Sequence, residues 1–226
     1  MKIINTENTK DRLERIIRRE MLPRFNKDGV LFSDDFIKAL AYNSELVPVH
    51  KNELIQGPGL GMDFNLIYIK YGIASSFYYE PTANKTIITK IWKKHDIIFD
   101  LDDFLNGETR SESHQMLEDG ELLAISYTSL RILLETFPNT VSFLLELQVE
   151  RERQYKYYQH LLRLNVQEKV NTYLNDNPSI YNRINKEYIA SHLGISRSRL
   201  SKATSLYKQG FNGRIVELNE ILWKRQ

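Results

Sequence analysis

The spacing of apolar positions changes three times along this chain. Over 5–45 it is helical. Leu13, Ile16, Ile17 and Met21 punctuate a charged run from Asp11 to Met21, and Phe36, Ile37, Leu40 and Ala41 follow the cap-like Ser33-Asp34-Asp35. Pro23 ends or kinks the first helix. From about Glu45 to about Ser126 the pattern breaks into short runs rich in Val, Ile, Tyr, Phe and Thr: Leu46–His50, Glu53–Gln56, Phe64–Tyr71, Ile73–Glu80, Thr86–Trp92, Asp96–Phe99 and Leu122–Ser126. Turn signals at Gly57–Gly61, Gly72 and Pro81–Lys85 separate them. Many short strands at this spacing predict an antiparallel barrel or jelly roll.

From Pro138, suited to a first helical turn, to about Leu164 there is no glycine and no further proline. That is roughly 26 residues, or about 40 Å of helix. Val141, Leu144, Leu145, Leu147, Tyr155, Tyr158, Leu161 and Leu162 give it an apolar stripe, interrupted by Gln148–Arg153. A helix this long in a chain this small packs on a second copy or spans between domains, and a dimer helix is the favoured reading. Val166–Asn175 is a further helix with Val170, Tyr173 and Leu174 inward. The stretch 210–226 fits a hairpin or a closing helix equally.

Between these lies the most informative segment, 186–203. Ala190 is small enough for two short helices to cross, and Gly194 tolerates the left-handed backbone of a sharp turn. Ile189, Leu193, Ile195, Leu200 and Ala203 fall where both helices face inward, and Ser196 is a good N-cap for the second. Arg197 and Ser198 open that helix, Ser201 and Lys202 lie one turn later on the same side, and Arg199 flanks them. The first turn of such a helix reaches base edges in the major groove, where arginine pairs with guanine. The pattern predicts a DNA-binding helix-turn-helix with Ser196, Arg197, Ser198, Arg199, Ser201 and Lys202 as its surface. The plain alternative is a helical corner with a solvated basic face.

Charge supports the first reading. The whole chain has a net charge of only +2, yet 165–226 carries 10 Lys+Arg against 5 Asp+Glu. The absence of cysteine excludes disulfides, thiolate catalysis, iron–sulfur clusters and zinc fingers. None of the five histidines lies three or four residues from another, so no metal and no cofactor is expected. No membrane span and no signal peptide is read, which places the protein in the cytoplasm. No nucleophile elbow, phosphate loop or metal motif suggests an enzyme. Asp100, Asp102 and Asp103 read as solvated loop residues.

The order of short-strand barrel, long helix and small helix-turn-helix domain resembles the Crp/Fnr family of bacterial regulators. The resemblance covers about Leu46 to Ala203. Its most specific part is Tyr188-Ile189-Ala190-Ser191-His192-Leu193-Gly194-Ile195-Ser196, similar to Bacteroidetes-type members, with support from Ile69-Lys70-Tyr71-Gly72 and Leu123-Ala124-Ile125-Ser126-Tyr127. It implies an α+β chain in three parts: N-terminal helices with a double-stranded β-helix (jelly-roll, cyclic-nucleotide-binding-like) sensor over 1–135, a dimerisation helix over 136–164, and a winged-helix-like DNA-binding domain over 165–226. It also implies a homodimer on a two-fold symmetric operator in double-stranded DNA, with RNA polymerase as a further partner. By position, Arg197, Ser198 and Lys202 face bases and Ser196 a phosphate.

For the effector, the family pattern falls on Asp100, Arg110 and Ser111. Here Phe99 stands where a glycine is expected, and Glu112 where an alanine is expected. The small-molecule effector is therefore unknown and not expected to be cyclic AMP. Read without the family, Arg110 is a loop arginine pairing with Glu108 or Glu112. A competing reading of the whole chain is a ligand-sensing β-roll whose helical tail docks a protein partner rather than DNA.

Overall fold

A computed structural model describes residues 6–25, 32–60, 64–107 and 109–209. The stretch 210–226, where a wing or closing helix was expected, lies outside the described residues. The chain divides into two compact units, Met1–Arg153 and Gln154–Gln226.

The first unit opens with α1 (Thr6–Ile16), which widens to a π-helical turn over Ile17–Met21 and tightens to a 3-10 turn over Leu22–Phe25. Pro23 therefore sits inside the tight turn rather than terminating the helix ahead of it. Helix α2 (Asp34–Tyr42) starts as its sequence predicts: the Ser33 hydroxyl accepts the Phe36 N–H at 3.2 Å.

Among the described residues ten strands follow: β1 (Glu45–Val49), β2 (Leu54–Gln56), β3 (Gly59–Leu60), β4 (Asn65–Tyr71), β5 (Ala74–Glu80), β6 (Lys85–Trp92), β7 (Ile97–Ile98), β8 (Thr109–Arg110), β9 (Ser113–Met116) and β10 (Gly120–Ser126). They form two four-stranded antiparallel sheets, β1-β10-β4-β7 and β2-β9-β5-β6, with β3 and β8 paired beside them. This is the predicted β-roll. Gly120 admits no side chain, because a Cβ there would lie 2.6 Å from the Tyr71 carbonyl oxygen.

Strand β4 explains its own dense apolar run. Ile67 and Ile69 face the roll interior with Val49, Ala74, Trp92, Ile98, Met116 and Leu122. Leu66 and Tyr68 face the other way, into a second core with α1, α2 and the later helices. A strand buried on both faces loses the polar alternation that marks a half-exposed one.

Between β7 and β8 the sequence reading is corrected. Asp102 and Asp103 are not loop residues but the first turn of α3 (Leu101–Asn106), and Asp100 is its N-cap, accepting both of their N–H groups. Strands β8 and β9 were not expected either, since Ser113-His114-Gln115-Met116 lacks the β-branched residues that mark a strand.

Helix α4 (Tyr127–Thr136) leads through Pro138 into the long α5 (Asn139–Arg163). The predicted single stripe on α5 is two faces. Phe143, Leu144 and Leu147 are buried in the helical core, whereas Val141, Leu145 and Val149, spaced four apart, are 47%, 55% and 42% exposed. Among the described residues no helix is long and apolar enough to cross a membrane.

The second unit holds the end of α5, then α6 (Val166–Asp176), α7 (Lys186–His192) and α8 over 197–209. Leu161, Val170, Tyr173, Leu174, Ile180, Ile184, Ile189, Ala190, Leu193, Leu200 and Ala203 are buried.

Candidate nucleic-acid interface

Helix α7 begins on Asn185, whose side chain accepts the Glu187 N–H at 3.0 Å, and ends in a closed turn. Ile195 N–H donates to the Ala190 carbonyl and Gly194 N–H to that of Ser191, both at 3.0 Å, with Gly194 at φ +64°. This is the Schellman arrangement, which needs a left-handed residue at the glycine's place. The chain then starts α8 at once. Ser196 Oγ accepts the Arg199 N–H at 3.3 Å, and its carbonyl accepts the Leu200 N–H at 3.0 Å. Two residues, Ile195 and Ser196, thus separate the left-handed end of α7 from the start of α8.

Two side chains from elsewhere in this unit take the carbonyls at the end of α7. Tyr158, on α5, donates its hydroxyl to the His192 carbonyl at 2.7 Å. Lys169, on α6, donates to the Leu193 carbonyl at 3.2 Å. Burial holds the Lys169 ammonium below its usual pKa. Helix α6 also grips α8, through Gln167 Nε2 to the Ala203 carbonyl at 3.0 Å and through Asn175, which accepts the Tyr207 hydroxyl at 2.8 Å.

The outward face of α8 is open. Ser196, Arg197, Ser198, Arg199, Ser201 and Lys202 are all exposed, while Leu200, Ala203 and Thr204 are buried behind them. The Ser196 and Ser198 hydroxyls lie 3.0 Å apart. Among the described residues, Arg197, Arg199 and Lys202 form no ion pair with a carboxylate. Three exposed cations in the first two turns of α8, without acidic partners among the described residues, suit a polyanion.

The residues placed at an effector site have different circumstances. Asp100 caps α3 and also pairs with Arg151 on α5, Oδ2 to Nη1 at 2.6 Å. Burial would raise its pKa. The Arg151 charge and hydrogen bond, with the Asp103 and Asp102 N–H groups, outweigh that and hold it below the usual value. Arg110 pairs with Gly59 through the backbone, and its side chain, with the expected pairing to Glu108 or Glu112, lies outside the described residues. Ser111 is exposed. Phe99 packs edge-on against Tyr127 and near Phe104, with centroids at 5.7 and 5.8 Å. The residue that stands in the glycine's place is thus part of the core.

Sequence reading missed a polar chain inside the roll. Trp92 Nε1–H donates to Ser76 Oγ at 2.6 Å, so the Ser76 hydroxyl proton is free to point at His114 Nδ1, 2.7 Å away. Lys90 Nζ stands 3.7 Å from the Trp92 ring centroid, and burial draws its pKa down to about 8. These four come from three strands, β5, β6 and β9, so no local pattern announced them.

No protein-family model and no curated protein sequence matches the chain. Solved structures do. FixK2 from Bradyrhizobium japonicum superposes with a TM-score of 0.64 at 17% identity, over 74% of this chain and 86% of that one. The c-di-GMP-responsive global regulator CLP from Xanthomonas campestris gives 0.61 at 18% identity, over 79% and 93%. A protein from Eubacterium rectale assigned to the Crp/Fnr family of transcriptional regulators gives 0.62 at 16% identity, over 79% and 85%. The chain has the α+β fold of these regulators, a β-roll followed by a long helix and a helix-turn-helix.

Proposed function

We propose that the protein is a sequence-specific DNA-binding transcription regulator of the Crp/Fnr type, of the Bacteroidetes kind, acting as a homodimer. The observation that carries this reading is the exposed surface of α8, where Arg197, Arg199 and Lys202 stand beyond a Schellman turn without acidic partners among the described residues. Arg197, Ser198 and Lys202 meet base edges and Ser196 a phosphate, with Arg199 and Ser201 beside them on the DNA-binding surface. The exposed Val141, Leu145 and Val149 on α5 support pairing of two copies along that helix. In the dimer the two α8 helices reach half-sites about 34 Å apart. The effector of the β-roll is unknown, and cyclic AMP is disfavoured because Asp100 is already held by Arg151. A response in the roll shifts the packing of the paired α5 helices, and with it the spacing of the α8 helices. RNA polymerase is the partner through which bound protein acts on transcription.

The test is selection of genomic DNA fragments by the purified protein, beside an Arg197→Ala, Lys202→Ala variant. The expected result is one two-fold symmetric motif, lost in the variant. Equal enrichment by both proteins would move the recognition surface elsewhere. In the same preparation, Leu145→Glu is expected to leave a monomer in sedimentation and to abolish the symmetric motif.

A further inference from the structure

We propose that Tyr181, Lys186 and Lys208 form a clamp for the DNA sugar-phosphate backbone, separate from the base-facing residues of α8. The proposal rests on the reading of α8 as a DNA-binding helix.

The three residues come from three places in the fold. Tyr181 lies in the turn before α7, Lys186 opens α7, and Lys208 is close to the end of α8. They meet on one ring. Lys186 Nζ is 4.7 Å and Lys208 Nζ is 5.5 Å from the Tyr181 centroid, so the two ammonium groups lie within about 10 Å of each other. Among the described residues neither lysine has a carboxylate partner. Two unpaired cations held this close repel one another. The face of an aromatic ring attracts each of them and so lets the pair persist.

The platform is fixed rather than incidental. Ile180 and Ile184, on either side of Tyr181, are buried, which anchors the turn. Tyr207, next to Lys208, donates to Asn175 at 2.8 Å, which anchors the end of α8. Lys208 is eleven residues beyond Arg197, about 16 Å along the helix axis. That distance carries it past the bases met by the first two turns. Along one strand, phosphates recur every ~3.4 Å of duplex axis, so two cations within about 10 Å engage neighbouring phosphates. Such contacts set position and affinity but carry no sequence information.

The experiment uses the full-length protein with two duplexes, one holding the selected motif and one of scrambled sequence, titrated across a salt series. Wild type is compared with Lys186→Gln/Lys208→Gln, Lys186→Arg/Lys208→Arg and Tyr181→Leu, each first shown to keep the wild-type melting curve. The glutamine pair is expected to lower the slope of log K against log salt by about 2 per protomer. It is expected to weaken both duplexes alike and leave their ratio unchanged. The arginine pair is expected to restore the slope, and Tyr181→Leu to give an intermediate one. An unchanged slope in the glutamine pair would overturn the clamp while leaving α8 as the reader. A loss confined to the selected motif would overturn it too, by making these lysines base readers. A wild type that binds neither duplex would remove the clamp together with the reading it rests on.

Discussion

Tyr158 lies flat on His192, with ring centroids 4.8 Å apart and planes 12° from parallel, while its hydroxyl donates to the His192 carbonyl at 2.7 Å. One side chain of the long helix thus holds both the ring and the backbone of the residue that ends α7. Tyr158→Phe keeps the stack and leaves the carbonyl without its hydroxyl donor, which costs about 1 kcal/mol. Tyr158→Ala removes both and costs about 3 kcal/mol. Chemical denaturation gives these values, and DNA affinity is expected to fall in the same order. A Phe variant as damaged as Ala would show that the hydroxyl, not the stack, is the main tie.

Gly194 is needed for its backbone and not for space. Its φ is +64°, and an added Cβ would come no nearer than 4.0 Å to Leu162 Cδ2. Asparagine enters the left-handed region easily and β-branched residues do not. Gly194→Asn is therefore expected to cost less than about 1 kcal/mol, and Gly194→Val roughly 2 kcal/mol, with DNA binding lost in step with stability. Equal costs would mean that the left-handed turn does not limit this position.

The Asp100–Arg151 pair gives an acid signature. The folded-state pKa of Asp100 is lowered, so the pair stabilises the protein above the unfolded value of ~3.9. The contribution is lost as pH falls through the folded value. Both side chains are partly exposed, which limits it to about 1 kcal/mol. Asp100→Asn is expected to lose that much at pH 7 and little at pH 3, read from urea midpoints at the two pH values. The same loss at both would assign the effect to capping of α3 alone.

Lys90 gives the opposite signature. Its pKa is drawn down to about 8 by burial, with Asp96, Glu150 and Glu112 opposing the change and Arg151 adding to it. Between that value and ~10.4 the unfolded chain binds the extra proton, so stability rises with pH by roughly 2–3 kcal/mol across the window. Above pH 10 Tyr68, Tyr157 and Tyr173, whose pKa values are raised, reverse the trend because the folded chain keeps protons that the unfolded chain releases. Lys90→Met is expected to flatten the rise between pH 8 and 10. A rise that survives the substitution would point to another group.

What sequence revealed here was local. Ser33 and Ser196 cap the helices they precede, and Gly194 makes the turn its spacing promised. Each of those outcomes is decided within a few residues. Contacts across the fold left no such trace. The Lys169 to Leu193 bond spans 24 positions and the Tyr158 to His192 bond spans 34. Arg151 looked like part of a break in an apolar stripe, and it is the partner of a carboxylate 51 residues earlier. Phe99 looked like an obstruction in a ligand site, and it belongs to an aromatic cluster with Phe104 and Tyr127.

The guanidinium at Asp100 has a consequence for how this roll could be controlled. A ligand drawn from solution occupies its site in proportion to its abundance, and dilution empties the site. Arg151 is tethered to the same chain, so its effective concentration at Asp100 is set by geometry and does not vary with the cell's supply. An incoming cation must displace a competitor that cannot diffuse away. The carboxylate therefore answers only to a ligand that binds it more strongly than its tethered partner does, and small changes in metabolite level pass it by.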